Sequence, residues 1–243
     1  EIPLRLVGSE MCIRDRYKML QSARGKEILN KERLKQYGGK VRLYDGIKGW
    51  FRRINAYGEK RGILVEHYII SSGLREIIEG TAIAKDFTHI YASSFYYNEH
   101  GEPCWPAQVI NYTNKTQFLF RIEKGILDIN DNAVNDHFVE GELRVPFRNI
   151  VYIGDSATDI PCMRLVNSLG GHSVGVYNLE NTASKDTVRR MIRDERIRYY
   201  VPADYTKGSE MDILIHQVID KTAAYEVLEE KHLRDRKEAV AKY

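Results

Sequence analysis

The chain has 243 residues, of which 43% are apolar and 29% charged. That mixture suits a single α/β domain with a real core and a small accessory element, and it excludes a disordered chain. The formal charge is only +3, with acids and bases interspersed, so nucleic acid is not implied as a partner. No apolar run approaches the roughly eighteen residues of a membrane helix, so no membrane is implied either. Cys12, Cys104 and Cys162 are odd in number and lack metal-ligand spacing, which points to ordinary thiols in a reducing, cytoplasmic setting.

In chain order, the stretch Val7 to Arg16 resembles translated sequencing-adapter read-through and carries no signal-peptide pattern. Residues 1–16 are therefore expected to be a non-native leader. From Tyr17 to Val41, Met19, Leu20, Ile28, Leu29 and Leu34 recur among charges, which predicts one or two helices broken at Gly38-Gly39. Trp50, Phe51, Ile54 and Tyr57 predict a further helix, punctuated by Gly58 and Gly62. The apolar run Ile63 to Ile70 reads as a buried strand ending in Ser71-Ser72-Gly73, with a helix over Leu74 to Gly80. Two β-rich runs, His89 to Tyr97 and Pro103 to Tyr112, flank a short glycine-containing turn and predict a hairpin. A helix is expected from Thr116 to Gly125 and a strand over Asn149 to Ile153 running into Gly154-Asp155. Beyond it come a helix with Ile160, Met163, Leu165 and Val166, a strand over His172 to Tyr177 and a helix over Asp186 to Asp194. A strand near Arg198 to Pro202 and a helix from Met211 follow, with charge-rich residues 226–243 as a solvated helix or tail. Strands alternating with helices of this length imply a doubly wound parallel sheet.

Open parallel sheets bind ligands beyond the carboxyl ends of their strands, and three segments put polar residues there. Ser71 offers a hydroxyl, with the backbone N–H groups of Ser72 and Gly73 beside it, a grip for a phosphate oxygen; an N-cap is the commoner role for such a serine. Lys115 opens a helix whose N-terminus already carries partial positive charge, so an anion is invited there; a solvated surface lysine is the plainer alternative. Gly154-Asp155-Ser156-Ala157-Thr158-Asp159 brings two carboxylates and oxygen-rich neighbours to one strand tip, which suits magnesium; a pair of turn aspartates is its plainer reading.

The order and spacing of these segments, and above all Ile150-Val151-Tyr152-Ile153-Gly154-Asp155-Ser156-Ala157-Thr158-Asp159-Ile160-Pro161-Cys162-Met163, resemble the second, third and fourth motifs of haloacid dehalogenase-like hydrolases. The form is that of the phosphoserine-phosphatase-like branch, and the likeness covers residues 45–222. It implies a Rossmann-like core with a helical cap and a β-hairpin insertion: residues 17–44 as a cap remnant and 45–225 as the core. It also implies magnesium-dependent hydrolysis of a small phosphorylated metabolite through an aspartyl-phosphate. Asp155 would bind the metal, Asp159 would assist the metal or hold Lys115, Lys115 would neutralise phosphate and nucleophile, and Ser71 would hydrogen-bond a phosphoryl oxygen.

The family's Asp-x-Asp nucleophile motif is absent from the sequence. Ahead of Ser71 stand only Asp15 and Asp45, and Asp45 matches a loop re-entering the core. The resemblance therefore implies an N-terminally truncated chain whose first, central strand is missing between the strands ending at Ser71 and Asp155. The run Ile2 to Val7 is a candidate to fill that place. Poor stability and no phosphatase turnover are expected. A natural pseudoenzyme binding a phosphorylated ligand or a protein partner is the alternative, and an unrelated Rossmann-like binding module, without Gly-x-Gly-x-x-Gly, ranks last.

Overall fold

A computed structural model describes residues 13–23 and 29–240. The chain divides into two units, one comprising the residues up to Leu43 and His67–Pro202, the other Tyr44–Glu66 and the residues from Ala203 onward.

The first unit opens with α1 (Ile13–Ala23) and α2 (Lys31–Gly38). Asn30 caps α2, its side chain accepting from the Arg33 N–H at 2.8 Å. Gly38 and Gly80 serve packing more than breaking. A Cβ on Gly38 would lie 2.1 Å from the Ile77 carbonyl oxygen, and one on Gly80 would lie 1.9 Å from that of Lys35. The two backbones thus touch where α2 crosses α4 (Arg75–Glu79).

Two three-stranded sheets follow. In the first, β1 (Tyr68–Leu74) pairs parallel with β2 (His89–Tyr97), and β2 pairs antiparallel with β3 (Pro103–Gln108). The turn between β2 and β3 is pinned by Asn98, whose side-chain oxygen accepts from the N–H groups of His100 and Glu102. In the second, β4 (Val151–Gly154), β5 (His172–Tyr177) and β6 (Tyr199–Pro202) run parallel. Helix α5 (Thr116–Lys124) packs on α6 (Ile160–Ser168), which covers β4 and β5, while α7 (Thr182–Arg193) covers β5 and β6. Leu119 of α5 joins the core around Tyr152, Cys162, Met163, Val166 and Val188. Phe118 and Ile122 of the same helix join a separate cluster with Tyr91 and Ile110. Ile70 of β1 packs on both clusters.

The free edges of these sheets are informative. Among the described residues, β1 has β2 as its strand partner and β4 has β5. Strand β5 is buried along all its length, whereas β1 is half-buried until Leu74. Mixed α/β architecture with parallel sheets agrees with the expected fold class, and the expectation that Ile2 to Val7 takes a central position lies outside the described residues.

Two expected boundaries move for identifiable reasons. The apolar run begins strand pairing only at Tyr68, because Ile63 ends α3 (Ile47–Glu59) instead of opening a strand. Its N–H bonds the Gly58 carbonyl at 3.0 Å across Gly62, whose φ is +73°, a left-handed helix termination that only glycine enters readily. Helix α7 starts at Thr182 rather than Asp186, since the Asn181 side chain accepts from the Ser184 N–H.

The second unit holds α3 and α8 (Glu210–Val240). Trp50 meets Phe51 and Tyr205 edge-on, with both centroid distances 5.4 Å. Arg53 bonds Asp212 at 3.0 Å and the Tyr205 carbonyl at 2.8 Å. Asp45 lies here, its carbonyl accepting from the Tyr205 N–H. Helix α8 runs without a break across residue 226, and among the described residues no helix is long and apolar enough to cross a membrane.

The crossing of α2 and α4 is expected to be intolerant of a single methyl group. Gly80→Ala should lower stability by about 2–3 kcal/mol through overpacking. Gly49→Ala, in the interior of α3 with nothing within 4 Å of the new Cβ, should raise it by about 0.5–1 kcal/mol. Urea unfolding midpoints at constant m-value report both signs.

Candidate active site

Strand β4 delivers Asp155 at its carboxyl tip, exposed to solvent. The chain then makes a 3-10 turn at Ala157–Asp159 and enters α6, with Pro161 in the first turn where its missing N–H costs nothing. This turn drops Asp159 back over the strand end, where it is buried. Gly154 is required by that approach. A Cβ there would sit 2.8 Å from the Asp159 side-chain carbons and Oδ2, so it is the closeness of the carboxylate that demands glycine.

Lys115 arrives from the other side, held by a turn of interlocked asparagines. The Asn114 side chain accepts from the Asn111 N–H at 2.8 Å and donates to the Val109 carbonyl at 2.9 Å, while Asn111 accepts from the Thr113 N–H. Lys115 stands as N-cap of α5, and its side chain is 6% exposed. Its Nζ donates to Asp159 Oδ1 at 2.7 Å. An ammonium buried at a positive helix end needs such a counter-charge.

Asp159 has two further donors. Tyr152 Oη bonds the same Oδ1 at 2.8 Å, and Ser156 Oγ bonds Oδ2 at 3.1 Å. Burial first, then the Asp159 charge, raise the Tyr152 hydroxyl well above its ordinary value, so it stays a proton donor. The Cys162 thiol beside it is pushed up to about 11, chiefly by burial. Among the described residues no side chain donates to the Asp155 carboxylate. Desolvation by the walls of the site, and next the neighbouring Asp159 charge, raise its pKa against the opposing pull of its own backbone and Lys115.

Ser71, Ser72 and Gly73 form an irregularity in β1: Ser71 pairs with Ala92, but the next pair is Leu74 with Ser93. The Gly73 N–H, expected to be open, is bonded to Ser71 Oγ at 3.0 Å, which leaves the hydroxyl proton of Ser71 to donate. The Ser72 carbonyl accepts from Ser93 Oγ at 3.2 Å and from the guanidinium of Arg16. Arg16, placed by sequence in the leader, is fully buried. Lys115 and Asp159 are thus brought into contact and Asp155 into electrostatic range, while among the described residues no hydrogen bond joins Ser71 to any of the three.

None of Ser71, Lys115 and Asp159 caps a helix with its side chain. Helix α4 has Leu74 as N-cap and no side-chain cap, so Ser71 is not a cap. Asp159 stands at the N-cap of α6 without a side-chain cap bond, and Lys115 is buried rather than solvated.

The donor set also bears on a metal. Both oxygens of Asp159 already accept hydrogen bonds, whereas Asp155 is open, and among the described residues no three His, Cys, Asp or Glu side chains gather as a cage. Asp155 offers one open carboxylate, and magnesium is a cation that keeps several waters and takes few protein ligands.

Sequence reasoning assigned no role to Tyr152 or Ser156. The available signal was alternation along β4. Tyr152 and Gly154 share a strand face, so a carboxylate lying over the glycine comes within reach of the phenol. Arg189, Arg193 and Arg196 pair with Asp186 or Asp194, in keeping with a solvated face. Tyr96 and Trp105, cross-strand partners, are 64% and 53% exposed and so are not core packing.

The family model for haloacid dehalogenase-like hydrolases matches residues 5–164, a span that includes Ser71, Lys115, Asp155 and Asp159. An uncharacterized protein of Borreliella burgdorferi is 25% identical over 202 residues, covering 76% of this chain and 69% of that protein.

Two outcomes are expected at this site. Gly154→Ala should displace the Asp159 carboxylate and cost about 2 kcal/mol or more in chemical unfolding. For Asp155, a pKa raised above 3.8 in the folded state means a stability contribution present below that value and lost as pH rises through the raised one. Asp155→Asn should therefore raise the metal-free melting temperature at pH 7, with the gain shrinking as pH falls toward 4. A gain independent of pH would refute this origin.

Proposed function

The chain belongs to the haloacid dehalogenase-like hydrolases, and from that premise we propose that it carries the phosphate- and magnesium-binding half of a phosphomonoester hydrolase of the phosphoserine-phosphatase-like branch, acting on a small phosphorylated metabolite. The buried Lys115–Asp159 pair at 2.7 Å carries the reading. A buried ion pair is weak evidence of a stabilising role, and one set beside an open carboxylate at a strand tip supports the reading of a site.

Lys115 presents its remaining ammonium protons to a phosphoryl oxygen and offsets its charge. Asp159 holds that ammonium in place through Oδ1. The Ser71 hydroxyl donates to a second phosphoryl oxygen. Asp155 holds magnesium, whose charge when bound offsets repulsion between phosphate and carboxylate. The antiparallel β2–β3 pair is read as the insertion typical of this branch. No Asp-x-Asp occurs among the 243 residues, so the chain by itself binds phosphate without hydrolysing a phosphomonoester.

Titration calorimetry with inorganic phosphate should show binding that magnesium tightens in the wild-type chain, is weakened at least tenfold but still measurable in Lys115→Met, and no longer responds to magnesium in Asp155→Asn. No turnover of p-nitrophenyl phosphate is expected. Absence of phosphate binding would refute the site, and robust magnesium-dependent hydrolysis would refute the division of labour.

A further inference from the structure

Within this reading of the site, the atom that decides where Lys115 points is Oδ1 of Asp159, and Lys115 shares that atom. Tyr152 Oη bonds it at 2.8 Å and Lys115 Nζ at 2.7 Å. The phenol is buried at 8% exposure in the core between β4 and α6, among Cys162, Met163 and Val166. A ring locked in that core has little freedom, so its hydroxyl is a fixed point. The other oxygen, Oδ2, is bonded by Ser156 in the half-buried turn, where that hydroxyl also contacts Thr158 Oγ1 at 2.7 Å.

The two anchors differ in kind. Ser156 sits on the short turn after Asp155 and moves with it, whereas Tyr152 is built into the sheet. A carboxylate held only by Lys115 and Ser156 would rotate about its Cβ–Cγ bond, carrying the lysine with it. With Tyr152 in place, the plane of the carboxylate is set by the sheet. We infer that Tyr152 is a positioning residue for phosphate binding, which fixes the Asp159 carboxylate and through it the direction of the Lys115 ammonium.

The inference rests on the phosphate reading, and its test separates the two. In 15N-lysine-labelled protein, the buried Lys115 ammonium should give a slowly exchanging proton-detected resonance that is absent from Lys115→Met. Tyr152→Phe, which keeps the packed ring and removes only the hydroxyl, should shift or broaden that resonance; an unchanged resonance would overturn the inference. By calorimetry with inorganic phosphate and magnesium, Tyr152→Phe should weaken binding about tenfold, the usual scale for a hydrogen bond to a charged group. Combined with Lys115→Met it should add nothing further, whereas a merely structural loss would add fully. Unaltered affinity in the single variant, or additive losses, would overturn the inference. Should the wild-type chain bind no phosphate, the functional reading fails, and the lysine resonance alone decides the role of Tyr152.

Discussion

A single buried carboxylate organises the chemically distinctive part of this protein. Asp159 accepts from Lys115, Tyr152 and Ser156, so a lysine 44 residues away and two hydroxyls from its own strand and turn converge on two oxygen atoms. Burying an ion pair costs desolvation that Coulomb attraction recovers only when the remaining lone pairs are satisfied. Here they are, by two hydroxyls in addition to the ammonium. The requirement propagates outward: Gly154 must lack a side chain because Asp159 lies on it, and the asparagine turn before α5 must hold its shape because Lys115 has to arrive at one point.

Asp155 differs from Asp159 by only four positions but by everything in environment. One is enclosed and accepts from three donors; the other stands at the mouth with no side-chain donor among the described residues and a pKa pushed up by partial desolvation and its neighbour's charge. The two neighbouring carboxylates thus have contrasting surroundings: Asp159 is tied to the lysine, and Asp155 is open.

The backbone tells a related story. Parallel strands β1 and β4 each use one edge for pairing among the described residues, and Ile70 of β1 packs on the same core as Tyr152 of β4. Most helices and strands were legible because each carries its own signal: the apolar spacing of Trp50, Phe51 and Ile54, the glycine after α5, the β-forming Val174, Val176 and Tyr177 of β5. The boundaries that moved are those where a local polar contact outweighs the apolar pattern. Ile63 is apolar like a strand residue, yet its N–H closes α3. Asn181 opens α7 through a side-chain bond that periodicity does not register. Gly38 and Gly80 are punctuation in the sequence, but in the structure they are the contact at which two backbones meet.

By itself the sequence determined the family, through Ser71, Lys115, Asp155 and Asp159 at their spacing, and the alternation of strands with helices, because both are local patterns along the chain. It also determined that no Asp-x-Asp is present. Only the tertiary structure decided what surrounds each of those residues. Whether Ser71 caps a helix, whether Lys115 is solvated, and whether Asp159 faces a cation or a lysine depend on burial and on partners some forty residues away. Tyr152 was invisible for the same reason. In the strand it is one more β-forming aromatic, and its hydroxyl acquires its partner only when the turn after Asp155 folds Asp159 back over Gly154.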